Sequence, residues 1–339
     1  MLNNLLNKIV EGEDLAVEEA GLLMSEIMSG KLTEAQAAAL LVALRMKCET
    51  SEEIASFAKV MRQNAVKVKS KHQKLVDTCG TGGDGKNTFN ISTAAAIVMA
   101  ASGAKVAKHG NRSVSSKCGS ADVLEELGVV LDLMPEQIGK CLDEVGICFL
   151  FAPRLHPAMK HVVPVRKQIG IRTVFNILGP LTNPAGAQYQ VLGVYSEELI
   201  EKMAEVLAKL GAKRAFVLLG AGGMDEISPV GEAKICEVRD GKVVGKFVLN
   251  PVELGVESCR VEDLSGGDVK QNADIILRVL NGQEGAKRDA VLMNAALGLV
   301  CVGIVDDVKS GIEIAAQIID SGAAMKKLNE LVEFTKAVC

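Results

Sequence analysis

A glycine-rich stretch, CGTGGDGKNTFNIST at residues 79–93, contains the residue types best suited to binding phosphate in this chain. Two phosphate-binding patterns, G-x-G-x-x-G and G-x-x-x-x-G-K, both begin at Gly80. The first pattern is incomplete because no acidic residue follows it at the distance needed to bind a ribose hydroxyl. The second is incomplete because Asn87 stands where a serine or threonine hydroxyl would bind magnesium. The glycines therefore indicate either a tight turn or a phosphate site of a different kind.

The residues that follow the glycines favour the phosphate interpretation. The segment NIST, residues 90–93, places hydroxyl side chains in what would be the first turn of an alanine-rich helix. These side chains would either cap the helix or hold a phosphate against its free amides and its dipole. A second cationic and hydroxyl-rich loop, residues 108–120, follows the next β-rich run. Because successive parallel strands end at one edge of a sheet, both loops could bind one ligand that carries several phosphates.

An acidic pair lies in a third loop. Asp225 and Glu226 belong to GAGGMDEIS, residues 220–228, which follows the apolar run RAFVLL. An acidic pair is by default a solvated turn. Beside a polyanion, two carboxylates are better explained as Mg²⁺ ligands, because hard cations prefer carboxylate and phosphate oxygens. The third loop therefore predicts a magnesium site at the same sheet edge.

The elements that would position these loops alternate in type. The β-rich runs LVDTC, KVAKH, ICFLFA, QVLGVYS and RAFVLLG are interleaved with helical patterns at 91–102, 120–127, 135–145 and 197–210. This alternation predicts a mostly parallel sheet with helices on both faces. The run AKICEVRDGKVVGKFVL, with Asp-Gly at its turn, predicts a β-hairpin. The chain is predicted to be helical again from residue 269.

The first seventy residues predict a helical bundle. Apolar residues recur at three- and four-residue spacing over 2–10, 17–28, 34–46 and 52–64. Thr33 with Gln36, and Thr50 with Glu53, fit capping boxes at the third and fourth helix starts. No residue of this region is of a type and spacing suited to catalysis, so we expect it to serve as core or as a subunit contact.

The composition excludes several classes of protein. With a net charge of −4, the 339-residue chain lacks the basic surface of a nucleic-acid-binding protein. Its 9 cysteines form no C-x-x-C pair, which favours reduced thiols in the cytoplasm over a disulfide framework. The N-terminus has no signal-peptide pattern, and the apolar runs are broken by Gly and Asn, so we expect no membrane span.

Four segments together resemble the anthranilate phosphoribosyltransferase family: DTCGTGGDGKNTFNIST, KHGNRSVSSKCGSADVLEELG, HPAMKHVVPVRKQIGIRTVFNILGPLTNP and GMDEIS. The resemblance extends over nearly the whole chain. It implies a small helical domain, residues 1–70, that mediates a homodimer and forms one wall of a cleft with helices near 157–178. It also implies an α/β catalytic domain, residues 71–339, with a mostly parallel central sheet of the nucleoside phosphorylase/phosphoribosyltransferase type.

The resemblance also implies a reaction. The phosphoribosyl group of 5-phosphoribosyl-1-pyrophosphate (PRPP) would be transferred to the amine of anthranilate in tryptophan biosynthesis, with Mg²⁺ as cofactor. An enzyme that produces anthranilate is a further candidate partner. By motif position, the residues that would line PRPP are Gly80, Gly83, Asp84, Thr88, Asn90, Ile91, Ser92, Thr93, Lys108, His109, Gly110, Asn111, Arg112, Ser113, Val114, Ser115, Ser116 and Ser120.

Three smaller sets of residues follow from the same motif positions. The metal ligands would be Ser92, Asp225 and Glu226. The residues in contact with anthranilate would be Gly80, Asn111 and Arg166. The catalytic residues would be Lys108 and Arg166. One position departs from the family, since Cys48 stands where a glycine is usual, and this touches only a helix C-cap.

The basic residues after the third β-rich run have two interpretations. Lys160, Arg166, Lys167 and Arg172 would ordinarily form a solvated helix face. An aromatic carboxylate, however, requires a planar bidentate donor, which arginine supplies and lysine does not. The histidines at 109 and 156 are expected to be structural, with substrate contact as the alternative.

The expected mechanism needs little acid–base chemistry. Displacement at the anomeric carbon passes through an oxocarbenium-like transition state, so catalysis should depend on positive charge that receives the leaving pyrophosphate. The aromatic amine is already neutral at pH 7, so no strong general base is required. Two alternatives are a pyrimidine nucleoside phosphorylase and a non-catalytic nucleic-acid-binding relative of the same fold. The arginine segment and the acidic pair argue against the first, and the net charge argues against the second.

Overall fold

The computed structural model describes residues 2–113 and 117–339. The α-helices of this part of the chain are α1 (Leu2–Val10), α2 (Val17–Ser29), α3 (Glu34–Lys47), α4 (Ser51–Asn64), α5 (Ile91–Ala101), α6 (Ser120–Glu126), α7 (Pro135–Glu144), α8 (Ala152–Leu155), α9 (Val163–Ile169), α10 (Phe175–Leu178), α11 (Glu198–Lys209), α12 (Val269–Leu280), α13 (Ala286–Val302), α14 (Val308–Asp320) and α15 (Ala323–Val338). Short 3₁₀ helices span Pro157–His161, Gly179–Leu181, Ala221–Gly223, Val252–Leu254 and Val261–Leu264. No helix in the described ranges is both long and apolar enough to cross a bilayer.

One seven-stranded sheet organises the larger part of the chain. Its strands are β1 (Leu75–Gly80), β2 (Lys105–Gly110), β3 (Ile147–Phe151), β4 (Tyr189–Gly193), β5 (Arg214–Leu219), β6 (Ala233–Arg239) and β7 (Lys242–Leu249). They lie in the order β3-β2-β1-β4-β5-β6-β7. The first five strands of this order pair in parallel, whereas β6 pairs antiparallel with β5 and β7 pairs antiparallel with β6. The mostly parallel sheet and the terminal hairpin are therefore confirmed.

The order of the strands brings three loops to one edge. Gly80 at the end of β1 pairs with Gly193 at the end of β4, which pairs with Leu218 near the end of β5. β2 lies on the other side of β1. The loops that follow β1, β2 and β5 therefore leave the sheet from the same edge, as expected for a parallel α/β sheet.

Alternating side chains divide the core into two clusters. On β4, Val191 points to a cluster with α5 and α13, whereas Leu192 points to the opposite face. On β5, Phe216 and Val217 divide in the same way. The second cluster is continuous with the apolar residues of α1–α4, α9 and α11. The helical bundle thus covers one sheet face through α11 and shares a core with it.

The predicted helix starts of the bundle are confirmed. Thr33 accepts from the Gln36 amide at 3.2 Å, and the Gln36 side chain accepts from the Thr33 amide at 3.0 Å. The second capping box, at the start of α4, has the same reciprocal pair of bonds. Cys48 ends α3 with φ of 68°, a left-handed conformation that suits glycine and strains any other residue.

Candidate active site

Three carboxylates meet where the first and third loops approach each other. One oxygen each of Asp84, Asp225 and Glu226 lies within 4.8 Å of the other two. Burial raises the pKa of Asp225, with the nearby Asp84 charge adding to the shift, and burial together with Asp225 raises the pKa of Glu226 well above its usual value. Like charges held this close disfavour ionisation unless a cation neutralises them.

The donor set of this cluster fits Mg²⁺. Asp84 Oδ2 and Glu226 Oε2 are buried and have no hydrogen-bond partner among the described residues. Buried carboxylate oxygens are normally hydrogen-bonded, so two orphaned ones that converge indicate a missing ligand. Hard oxygen donors of this kind are what Mg²⁺ takes when phosphate oxygens complete its coordination.

The glycine loop is held against the third loop by close backbone contacts. The Gly82 amide donates to Asp225 Oδ2 at 2.9 Å, and the Thr81 amide donates to the Gly193 carbonyl at 2.9 Å. A Cβ atom on Gly80 would lie 2.0 Å from Asp225 Oδ2, and one on Gly193 would lie 1.6 Å from the Asp225 carbonyl oxygen. Only glycine permits this approach, which fixes the distance between the two loops.

Lys108 on β2 extends its ammonium toward the glycine loop. Its Nζ donates to the Thr78 carbonyl at 2.6 Å and to Ser92 Oγ at 3.3 Å. Burial lowers the pKa of Lys108, and the negative charges of Asp77, Glu226 and Asp225 oppose that shift. Lys108 is 3% exposed, so a cation is held beneath the end of β1 and close to the carboxylate cluster.

His109, the next residue along β2, faces the opposite side of the sheet. Its amide donates to Asp77 Oδ1 at 3.1 Å, and Asn183 Nδ2 donates to Asp77 Oδ2 at 2.8 Å. The His109 and His156 rings lie 5.1 Å apart. Burial lowers the pKa of His109 to about 3 and that of His156 to about 4, and raises the pKa of Asp77 to about 6. The two histidines are therefore neutral at pH 7.

The first turn of α5 is left uncapped by side chains. Asn90 at the N-cap makes no capping hydrogen bond, and its Nδ2 donates instead to the Cys118 carbonyl at 3.3 Å. Ser92 Oγ accepts from Lys108. No side chain of the described residues caps this helix end, so the capping interpretation of residues 90–93 is wrong there. The Ile91 and Thr93 amides donate to the Phe89 and Asn90 carbonyls, which leaves the Ser92 amide available to an anion. The remaining predicted residues of this stretch are Ile91 and Thr93, which are buried, and Thr88, which bridges to Ser265.

The second loop folds back onto the start of α6. Ser120 Oγ donates to the Asn111 carbonyl at 3.3 Å, and the Ser113 amide donates to Asp122 Oδ2 at 3.1 Å. The Arg112 guanidinium is engaged by Asp122 and by Glu125 on α6. In the structure, Arg112 thus forms ion pairs rather than facing the carboxylate cluster.

The other predicted residues of the second loop have two outcomes. A Cβ on Gly110 would lie 2.4 Å from Ser120 Oγ, so this glycine permits the loop to pack closely. Val114, Ser115 and Ser116 lie outside the described residues.

Arg166 on α9 is separate from these loops. Its guanidinium lies 5.8 Å from the Phe175 ring centroid and forms no ion pair within the described ranges. Burial lowers the pKa of Arg166, and no carboxylate opposes the shift. Arg166 thus offers a partly buried guanidinium that lacks a counter-charge among the described residues, and it forms no hydrogen bond with Gly80 or Asn111.

Sequence reasoning missed two features of the site. The motif position of Asp84 implies contact with PRPP, whereas its carboxylate also lies beside those of Asp225 and Glu226. The signal in the sequence is an acid inside a phosphate-type glycine loop. Arg172, for which a solvated face and a carboxylate contact are both open from the sequence, is exposed and donates from Nη2 to the Gly83 carbonyl of the glycine loop. Nothing in the local sequence distinguishes Arg172 from the other basic residues near it.

Comparisons with known proteins cover the whole chain. The family model "Glycosyl transferase family, a/b domain" matches residues 72–325, and "Glycosyl transferase family, helical bundle domain" matches residues 3–65. An anthranilate phosphoribosyltransferase from Pelotomaculum thermopropionicum is 59% identical over 99% of this chain and 97% of its own length. One from Desulforamulus reducens is 56% identical over 100% of this chain and 98% of its own length.

Solved structures give the same result. The anthranilate phosphoribosyltransferase from Thermus thermophilus matches with a TM-score of 0.93 and 45% identity, covering 98% of this chain and 99% of that one. The Saccharomyces cerevisiae enzyme in complex with PRPP and Mg matches with a TM-score of 0.92 and 30% identity, covering 99% and 98%. The carboxylate cluster, the glycine loop and Lys108 all lie within the matched α/β region. The chain is therefore a member of the anthranilate phosphoribosyltransferase family.

Proposed function

We propose that this protein transfers the phosphoribosyl group of PRPP to the amine of anthranilate, giving N-(5-phosphoribosyl)anthranilate and pyrophosphate, with Mg²⁺ held by Asp84, Asp225 and Glu226. The observation that carries the proposal is the convergence of two orphaned carboxylate oxygens beside a glycine loop and an uncapped helix N-terminus. A nucleic-acid-binding relative would have no use for such a cluster. Ser92 would be a further ligand of the metal, as its motif position implies.

The pyrophosphate would lie between the glycine loop and the start of α5. The amides of Gly83, Asp84 and Gly85 donate to no atom of the described residues, and so they are free to bind phosphate oxygens. Lys108, whose Nζ donates to the Thr78 carbonyl and to Ser92 Oγ, would supply positive charge next to the pyrophosphate. Asn111 and the hydroxyls of the second loop would bind the remaining oxygens of PRPP.

Catalysis would depend on stabilising the leaving group. Negative charge grows on the pyrophosphate as the ribose carbon becomes oxocarbenium-like, so fixed positive charge at that point lowers the barrier. When bound, Mg²⁺ would supply positive charge at this point. Lys108 would add to it, because its buried ammonium needs no reorganisation as the bond breaks. The neutral amine of anthranilate would form the new C–N bond as the bond to pyrophosphate breaks, and the extra proton on nitrogen would then pass to solvent. His109 and His156 would be weak proton acceptors, because burial lowers their pKa values to about 3 and about 4.

Arg166 would bind the carboxylate of anthranilate. A partly buried guanidinium without a counter-charge is costly, and an anionic substrate would remove that cost. The planar fork of arginine matches a carboxylate in a bidentate geometry. Gly80 and Asn111 would form the rest of this subsite, next to the anomeric carbon of PRPP.

The assembly is part of the same proposal. Residues 1–70 would form the domain that pairs two protomers, and residues 71–339 the catalytic domain. The free thiols of the described cysteines support a location in the cytoplasm. An enzyme that produces anthranilate is the candidate partner.

The experiment follows the fluorescence of anthranilate after the purified protein is mixed with PRPP and MgCl₂, with EDTA as the metal control. We expect a fluorescence loss that EDTA abolishes. The variant Asp225→Asn with Glu226→Gln should abolish the loss, while Asp240→Asn in the β6–β7 turn removes a charge elsewhere and should retain it. No loss with the folded wild-type protein would overturn the proposal, and phosphorolysis of thymidine or uridine would then point to a nucleoside phosphorylase.

A further inference from the structure

The guanidinium of Arg172 is held in a defined position between two parts of the molecule. It stacks over the Tyr195 ring with Cζ 4.2 Å from the ring centroid, and Nη2 donates to the Gly83 carbonyl. A Cβ on Gly83 would lie 2.9 Å from Nη2, so the glycine loop and the guanidinium are in direct contact. Arg172 is exposed, and these two contacts give its guanidinium a defined orientation at the surface.

The segment that carries Arg172 is anchored on the helical side of the molecule. Val174 and Phe175, just beyond Arg172, are buried in the core cluster that contains α1–α4. Tyr195 follows β4 and packs against the same cluster. Arg172 therefore connects a fixed part of the fold to a loop that otherwise has few contacts.

Holding the Gly83 carbonyl also fixes the direction of the Asp84 amide, which belongs to the same peptide group. The C=O and N–H of a trans peptide point in opposite directions, so a carbonyl turned toward Arg172 turns the Asp84 amide away from it. The Asp84 amide has no partner among the described residues, and the Asp84 carboxylate belongs to the metal cluster. The loop is also pinned from the other side, where the Gly82 amide donates to Asp225 Oδ2 at 2.9 Å.

We propose that Arg172, supported by the Tyr195 ring, is a positioning residue that orients the Gly83–Asp84 peptide so that the Asp84 amide and carboxylate face the metal-bound pyrophosphate. The inference rests on the proposed function. Arg172 acts through the loop and does not bind anthranilate, so its loss weakens binding of the pyrophosphate group selectively. A general loss of stability or of anthranilate binding is not expected.

The test compares Arg172→Gln with Lys167→Gln. Lys167 is an exposed cation on α9 with no partner among the described residues, so its variant removes the same charge from the same segment without touching the loop. The first readout is the calorimetric Kd for inorganic pyrophosphate with MgCl₂, which requires no turnover. The second is the separate KM values for PRPP and anthranilate, and the third is the melting temperature.

We expect Arg172→Gln to raise the pyrophosphate Kd and the PRPP KM by about three- to tenfold, the effect of losing one hydrogen bond of ordinary strength. The anthranilate KM should stay unchanged, and the melting temperature should move by less than about 2 °C. Arg172→Lys should recover part of the loss, because it keeps the charge without the planar fork. Lys167→Gln should match the wild type in every readout.

Tyr195 supplies an independent check. Tyr195→Phe keeps the ring beneath the guanidinium and should behave as wild type, whereas Tyr195→Leu removes the ring and should weaken pyrophosphate binding. Equal pyrophosphate affinities for Arg172→Gln and Lys167→Gln would overturn the inference, as would a rise in the anthranilate KM equal to that for PRPP. A wild-type protein that neither binds magnesium pyrophosphate nor consumes anthranilate would instead overturn the proposed function.

Discussion

Two buried neutral histidines should make the protein lose stability in acid. His109 and His156 are 6% and 4% exposed, and burial lowers their pKa values to about 3 and about 4. An unfolded histidine has a pKa near 6.5, so below that pH the unfolded chain binds more protons than the folded one. The stability contributed by each histidine is complete above about pH 6.5 and is lost as the pH falls toward the folded value.

The change His156→Gln isolates one of these contributions. Between pH 7 and pH 5, protonation of one histidine in the unfolded chain alone lowers the free energy of unfolding by about 2 kcal/mol. Glutamine does not titrate, so the variant should lose about 2 kcal/mol less than the wild type over this interval. The variant's stability at pH 7 does not enter this difference.

The wild type and His156→Gln must be compared by the difference between their stability losses, because burial shifts the pKa of another group in the opposite direction. Burial raises the pKa of Asp77 to about 6, so the folded state takes up that proton first and gains stability as the pH falls. This gain is common to both proteins and cancels. Urea unfolding at pH 7 and pH 5 provides the measurement, with His161→Gln, an exposed site, as the control. Equal losses for the wild type and His156→Gln would refute the assignment of a buried neutral ring.

Three further outcomes follow from single side chains. Cys48→Gly should raise the free energy of unfolding by about 1 kcal/mol in thermal or urea unfolding, because φ at this position is 68°. Cys48→Ala keeps the backbone strain, so an equal gain in stability from this control would contradict the reasoning. Gly139→Ala should destabilise by about 1–3 kcal/mol, because its Cβ would lie 2.2 Å from a backbone oxygen, whereas Gly245→Ala, with open space around it, should not. Arg166→Ala should raise the anthranilate KM by an amount equivalent to about 1.5–3 kcal/mol, and steady-state kinetics that show no change would remove the carboxylate assignment.

The elements of this fold are predictable because their signals are local. The change from helical spacing to β-rich runs after residue 70, the capping boxes at Thr33 and Thr50, and the Asp-Gly turn all depend on neighbouring residues. The meeting of the three loops was also predictable, since parallel strands end at one edge. Even the opposite orientation of Lys108 and His109 follows from strand alternation.

The contacts that complete the site were not predictable from local pattern. The approach of Asp84 to Asp225 depends on the path of a loop in which Gly82, Gly83 and Gly85 all have positive φ. The contact of Arg172 with Gly83 joins segments 89 residues apart. Such contacts are set by how the helical side packs on the sheet, and no spacing within either segment encodes them.

The shared core has a consequence for how the chain is synthesised. The apolar residues of α1–α4 belong to one cluster with residues between 162 and 238, including α11 and one face of β4–β6. The bundle leaves the ribosome first, yet its core is completed only when those later residues emerge. At roughly 5–20 residues per second, this interval lasts about 10 to 35 s. During that time the nascent helices expose apolar surface, so the N-terminal segment is where we expect chaperones to bind during translation.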